Sequence, residues 1–253
     1  MALNIIGIGL NDEKDITLKG LELVKKSDAV YLESYTAFLN CNAEKLEKLY
    51  GKKIILADRE LVEQRAEETI LKDAKSKEVS FIVVGDPMSA TTHIDLMLRA
   101  KELGIKVNIV NNASVLTAVG ITGLQLYKFG RTASLPYPQE NFKPESAYDI
   151  IMSNLKNNLH TLILLDLNLK EKSSMSVNEA IKILLAIEEK RKEKIFTKET
   201  LIVGCARLGG DYKIKFGKVK KLEKEDFGKG MQCLIIPSKM HFKEEEALGL
   251  YRI

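Results

Sequence analysis

The chain has no long apolar run, few cysteines and histidines, and little net charge. No apolar stretch approaches the roughly 20 residues that cross a bilayer, so no membrane role is expected. The opening MALNIIGIGLNDEKD is briefly apolar and then acidic; with no basic head and no cleavage pattern it does not read as a signal peptide. Three cysteines, Cys41, Cys205 and Cys233, have no CxxC spacing, and the last two lie inside apolar runs. They read as small buried hydrophobes in a reducing cytosol, hence a cytoplasmic protein. Three dispersed histidines and the lack of HExxH exclude an evident zinc site. A net charge of +4, read as evenly spread, gives no footing for direct nucleic-acid binding. Nothing matches GxSxG or a phosphate-binding loop. Any chemistry here needs little acid–base machinery, and no catalytic residue is singled out.

What is present is an ordinary globule. The 253 residues are 45% apolar and 29% charged, enough for one large domain or two small ones. A chain of that length buries about 70–75% of the surface it exposes unfolded. LNIIGIG, AVYLES, KIILA, VSFIVVG and IKVNIV read as strands, with helical patterns between them. Thr17 is a candidate cap for a helix whose Leu18, Leu21 and Val24 share a face. The segment from Leu61 to Ser76 reads as a surface helix. Alternation of this kind implies a mostly parallel sheet. After SVLTAVGITGLQLYKFG, which breaks near Gly120 and Gly123, three of the five prolines cluster. HTLILLD is then a strand and SVNEAIKILLAIEEKRKE a long helix. TLIVGCARLGG, YKIKFGKVKKL and QCLIIPSK are too close together for parallel crossovers and are expected to be antiparallel. The fold class is therefore α/β, with two α/β domains at 1–112 and 113–253, the second with a mixed sheet.

Two strand ends carry polar clusters. FIVVGDPMSATTH runs from a core strand into Asp86, Pro87, Ser89, Thr91 and Thr92. In open α/β sheets ligands bind outside the carboxyl ends of strands. Helix capping competes as an explanation, since Thr92-x-x-Asp95 resembles a capping box. NNASVLTAVGITGL repeats the arrangement with Asn111, Asn112 and Ser114, where Ser114 is also a candidate N-cap. HTLILLD adds Asp166. GIGLND near the N-terminus fails the dinucleotide fingerprint, because Asp12 stands where a small residue is needed. Its glycines still permit close backbone approach, and a plain tight turn is an equal alternative.

IIGIGLNDEKDITLKGLELVKKSDAVY, the GDP after a strand and the two-domain plan resemble the tetrapyrrole-methylase-like class of S-adenosylmethionine methyltransferases. GDPMSATTHIDL, ASVLTAVGITGLQLYKFGRTAS, PYPQENFKPESAYDII, LHTLILLDL and KEDFG further resemble the diphthine synthase family, over nearly the whole chain. The resemblance implies a cytoplasmic homodimer that binds S-adenosylmethionine between its two domains, releases S-adenosylhomocysteine and uses no metal. It implies methylation of the amino group of a 3-amino-3-carboxypropyl-histidine on translation elongation factor 2. Carried over by motif, the cofactor contacts are Leu10, Asp86, Ser89, Ser114, Val115, Leu165, Leu208 and Gln232. Asp86 would bond the cofactor, hold its loop or favour the sulfonium charge. The chain departs from the family pattern at Asn111, Ser89 and Gln232. The last two leave side-chain contacts open, since backbone can make them. Lys128 and Arg131 are candidates for the substrate carboxylate, with solvated surface charge the weightier role. Two rivals are a sibling methyltransferase acting on a porphyrinoid and a non-catalytic translation-associated module.

Overall fold

The computed structural model describes residues 1–139, 145–168 and 173–253. The chain forms two compact units, residues 1–115 and 116–253.

In the first unit, β1 (Ala2–Gly7), β2 (Ala29–Glu33), β3 (Ile54–Ala57), β4 (Glu78–Val83) and β5 (Val107–Val110) pair in parallel in the order β3-β2-β4-β1-β5. Parallel pairing requires crossovers. These contain α1 (Leu18–Lys26), α2 (Ala43–Tyr50), α3 (Arg59–Glu63), α4 (Ile70–Ala74) and α5 (His93–Glu102). Both faces of the sheet are covered. Leu3, Ile5 and Phe81 pack with Ile70, Leu71 and Leu96 on one side. Ile6, Ile8 and Ile82 pack with Val24, Leu46 and Tyr50 on the other. Burial on two faces explains why these strands read as continuous apolar runs. Thr17 caps α1, its hydroxyl accepting from the Gly20 amide at 3.1 Å. Leu18, expected on the apolar face, is exposed, while Val24 is buried.

Two readings of the sequence fail here. The helix expected over Leu61 to Ser76 is broken into α3, a 3-10 turn at Ala66–Glu68 and α4. Nor does it lie on the surface, for Ile70, Leu71 and Ala74 are buried. Sparse apolar residues looked like a solvated helix, but three of them fall in one turn that anchors to the sheet. The capping box offered by Thr92 and Asp95 as the competing explanation does not form either. Thr92 makes no side-chain cap, and Asp95 pairs with Arg99 at 3.1 Å.

In the second unit, after the short α6 (Val115–Ala118), come β6 (Ala133–Leu135), α7 (Ser146–Lys156), β7 (Thr161–Leu165), β8 (Leu167–Asn168), β9 (Ser173–Ser174) and α8 (Val177–Arg191). β10 (Leu201–Ala206), β11 (Lys213–Lys218), α9 (Val219–Leu222), β12 (Gln232–Ile236) and α10 (Phe242–Gly249) complete it. The sheet order is β11-β10-β12-β7-β6, antiparallel except for β6 and β7. The last three strands are antiparallel as expected, and the sheet is mixed. Ser176 and Glu179 form a complete capping box on α8. Cys205 and Cys233 face each other across β10 and β12, both buried; Cys41 is half-buried. Of the motif stretch 136–151, residues 140–144 lie outside those described.

Candidate active site

All five strands of the first sheet deliver their carboxyl ends to one edge, and β1 lies between β4 and β5. The turns after these three strands are tied together. Gly9 and Gly85 form a bridge, with the Gly85 amide donating to the Gly9 carbonyl at 2.7 Å. Both have positive φ, +79° and +80°, a conformation open to glycine at little cost. The Asn112 side-chain Nδ2 donates to the carbonyls of Gly7 at 2.9 Å and Asp15 at 3.0 Å. Asp15 Oδ2 accepts from the backbone of Leu10 and Asn11, at 3.2 and 2.8 Å.

Asp86 is the hub. Its Oδ1 accepts from the Met88 amide at 2.9 Å and the Ser89 hydroxyl at 3.1 Å. Its Oδ2 accepts from the Asn111 side chain and the Asn112 amide, both at 3.0 Å. Burial alone would raise its pKa, but these four donors outweigh it and hold the carboxyl below its ordinary range. The acid therefore clamps the β4 turn to the β5 turn. Ser89 serves the same clamp. Leu10 and Ser89 are partly exposed, Ser114 is buried, and Val115 opens α6. So five of the expected residues, Leu10, Asp86, Ser89, Ser114 and Val115, stand on three adjoining turns.

A Cβ built on Gly9 would lie 2.3 Å from the Asp15 Cβ, so this glycine is required by its own loop. A Cβ on Gly85 would meet only Leu10 Cδ2 at 3.7 Å and the Ala113 carbonyl oxygen at 3.8 Å. The open face of Gly85 is thus bordered by two of the turns expected to hold a ligand.

The other three expected residues share one end of the second sheet. Leu165 ends β7, Gln232 begins the antiparallel β12, and Leu208 follows β10, where Ala206 pairs with Gln232. The Gln232 side chain is spent internally: Oε1 accepts from the Val177 amide at 2.9 Å, and Nε2 donates to the Gly228 carbonyl at 2.8 Å. Any ligand contact there falls to its backbone. Asp166 is likewise engaged, accepting from the Tyr137 and Leu167 amides, each at 2.9 Å. Arg207, with φ +53°, donates to the carbonyls of Asp211, Phe227 and Lys229.

Lys128 and Arg131 lie at the opposite end of this sheet, before β6 and level with His160 at the start of β7. Lys128 is paired with buried Glu244 at 2.5 Å. Neither cation therefore stands with Leu165, Leu208 and Gln232. Among the described residues no group of three or more His, Cys, Asp or Glu is placed to hold a metal ion.

The family model for tetrapyrrole (corrin/porphyrin) methylases matches residues 2–222. The diphthine methyl ester synthase of Dictyostelium discoideum is 47% identical over 100% of this chain and 99% of its own. The diphthine synthase of Methanocaldococcus jannaschii is also 47% identical, over 97% of each chain. The chain belongs to the diphthine synthase family. A crystal structure of a diphthine synthase superposes with a TM-score of 0.90 at 34% identity, covering 100% of this chain and 96% of the other. As a diphthine synthase family member within the tetrapyrrole methylases, the chain is a methyltransferase.

Several residues that build these strand-end turns are not singled out by the sequence. Asp15 sits in an acidic loop where any of three acids could take the Leu10 and Asn11 amides. Glu33 holds the turn after β2, accepting from the Tyr35 and Thr36 amides at 2.9 and 2.7 Å. It repeats at β2 the part of Asp86 at β4, and an acid closing an apolar strand was the available cue. Arg207 had none.

Proposed function

We propose that this protein uses S-adenosylmethionine to methylate the amino group of a 3-amino-3-carboxypropyl-histidine on translation elongation factor 2, giving diphthine. The carrying observation is full-length identity of 47% with relatives named for diphthine and its methyl ester. The contacts proposed for the cofactor are Leu10, Asp86, Ser89, Ser114, Val115, Leu165, Leu208 and Gln232, with Asp86 and Gln232 acting through the turns they hold. The free face of Gly85 beside Leu10 and Ala113 fits a ligand at this strand end. When bound, the cofactor supplies an electrophilic methyl group on a sulfonium.

The protein's own part is positioning. Donor carbon and amine must be held about 3–3.5 Å apart and away from water. Clamped turns without a nucleophile–base pair suit that task. A desolvated amine loses its proton more readily, which favours the nucleophilic form. The family resemblance also supports a homodimer and a cytoplasmic location. No described helix is long and apolar enough to cross a membrane.

Labelled methyl transfer to elongation factor 2 bearing the aminocarboxypropyl group, with unmodified factor as control, tests the reading. Label in the modified factor alone is expected; label in neither, or equally in both, contradicts it. A porphyrinoid that accepts label in place of the factor would favour the sibling activity. The relatives' two names differ by a methyl ester, which hydroxide cleaves while leaving N-methyl groups. Base treatment of the labelled product therefore tells which product forms.

Two glycine variants probe the placement. Gly85→Ala should fold, at a cost of about 1–2 kcal/mol for its left-handed backbone, yet weaken S-adenosylhomocysteine binding at least about tenfold because the methyl enters the free face. Gly9→Val should not fold stably, since its Cβ meets Asp15. Thermal melts and calorimetric titration check both. A Gly85→Ala protein with unchanged affinity would move the cofactor elsewhere.

A further inference from the structure

The whole net charge of the chain resides in one segment. Residues 213–229 carry seven lysines against Glu223, Glu225 and Asp226, a net +4, and the other residues carry 32 cations and 32 anions. The charge is therefore not spread evenly. The segment runs along one flank of the second unit. β11 is an edge strand of its sheet, α9 follows directly, and residues 223–231 lead back to β12. Arg207 fixes the returning stretch through the carbonyls of Phe227 and Lys229, at 2.8 and 2.9 Å. The lysine flank is thus continuous with the strand end that carries Leu208 and Gln232.

Part of this charge is used within the fold. Lys218 and Lys220 pair with Glu199 at 2.7 and 2.6 Å, Lys213 donates to the Asp226 carbonyl, and Glu223 is taken by Lys198. The ammonium groups of Lys215, Lys221, Lys224 and Lys229 make no hydrogen bond or ion pair with described residues. Lysines on an edge strand discourage edge-to-edge pairing. That accounts for Lys213 and Lys215, but not for exposed Lys221, Lys224 and Lys229 on the helix and loop beyond. The segment has no arginine, and its aromatics, Phe216 and Phe227, are buried. A groove that reads or stacks bases uses guanidinium forks and exposed rings, and this segment offers neither. Mobile ammonium groups alone suit carboxylates spread over a protein surface.

We propose that this lysine flank docks an acidic surface of the protein substrate and steers it to the strand end holding Leu208 and Gln232. The inference rests on the proposed protein substrate. Exposed charges at the rim of an interface act on encounter rate and salt dependence more than on the bound state.

The test is the combined variant K221E/K224E/K229E, assayed with elongation factor 2 bearing the aminocarboxypropyl group at low and high salt. For the wild type, kcat/KM should fall about tenfold or more as salt rises. The variant should start about tenfold lower at low salt and respond little to salt. Its kcat, melting temperature and S-adenosylhomocysteine affinity should stay within about twofold or a few degrees of wild type. Equal kcat/KM and equal salt slopes would overturn the proposal. So would loss of binding to a tRNA-sized RNA with transfer unaffected, which would mark a nucleic-acid surface. If charge reversal prevents folding, the neutral K221Q/K224Q/K229Q protein should show the same change in salt slope at smaller size. A wild type that binds no S-adenosylhomocysteine and transfers no methyl would defeat the functional reading itself. Salt-sensitive binding of the factor by sedimentation would then still report on the docking surface.

Discussion

Replacing Glu244 by alanine should destabilise the protein by about 3–5 kcal/mol, the range for removing one partner of a buried ion pair. Glu244 is fully buried at the start of α10. Its Oε1 accepts from the Gln125 amide at 2.9 Å and His160 Nε2 at 3.0 Å. Its Oε2 accepts from Lys128 at 2.5 Å and the His241 amide at 2.7 Å. The Ser238 amide donates to His160 Nδ1 at 2.9 Å, so the imidazole carries its proton on Nε2 and is neutral. Alanine would leave the His160 Nε2–H and two amides without their acceptor and Lys128 with only the Lys239 carbonyl. Urea unfolding measures the loss; a change below about 1 kcal/mol would show that water replaces the carboxylate.

The same cluster fixes a pH dependence. Burial would raise the Glu244 pKa, but Lys128 and the other donors draw it down to about 2 from an ordinary 4.5. The unfolded chain therefore takes up the proton first as pH falls. This stabilisation is full above about pH 4.5 and is lost on approach to pH 2. His160 is held below its ordinary 6.5 mainly by burial, so protonation also favours unfolding as pH drops through that value. Both groups act in one direction. Wild type should lose stability on acidification more steeply than Glu244→Ala, and parallel curves would contradict the assignment.

Asp86→Ala should lower stability by about 3 kcal/mol, given four hydrogen bonds to a charged acceptor whose contributions do not simply add. It should also reduce S-adenosylhomocysteine affinity at least about tenfold, because the turns after β4 and β5 lose their common tie. Asp86→Asn should fare almost as badly. Each carboxylate oxygen meets two donors, so the amide NH2 must face N–H or O–H groups whichever way it turns. Denaturant unfolding and calorimetry on both variants check this. An asparagine variant close to wild type would show that the charge and the second acceptor do not matter.

The parallel sheet was legible because apolar runs of strand length alternate with capped helices. The antiparallel part followed from the lack of a long helix between residues 201 and 236. Helix detail was less legible. One apolar turn, Ile70 to Ala74, redirected a segment that looked uniformly solvated. β6 is not legible in the sequence because three residues beside a proline-rich stretch carry no period. At the site, residue types and strand ends pointed to Asp86 and Ser114, but the roles depended on geometry. The sequence pattern cannot show that both Asp86 oxygens are saturated by neighbouring turns, or that the Gln232 amide caps α8. Lys128 and Arg131 attracted notice by charge, yet the direction of β6 puts them at the far end of the sheet from Leu165. Arg207 and Glu244 take most of their partners from far along the chain, Phe227 and Lys229 for the first, Gln125, Lys128 and His160 for the second, and no local spacing marks such partners.

The most direct measurement is residue-resolved mass spectrometry of elongation factor 2 after incubation with this protein and S-adenosylmethionine. Mass gains of whole methylene units confined to the aminocarboxypropyl-bearing histidine are the expected result. No gain there despite demonstrated cofactor binding, or the same gain on factor lacking that group, would contradict the proposed activity.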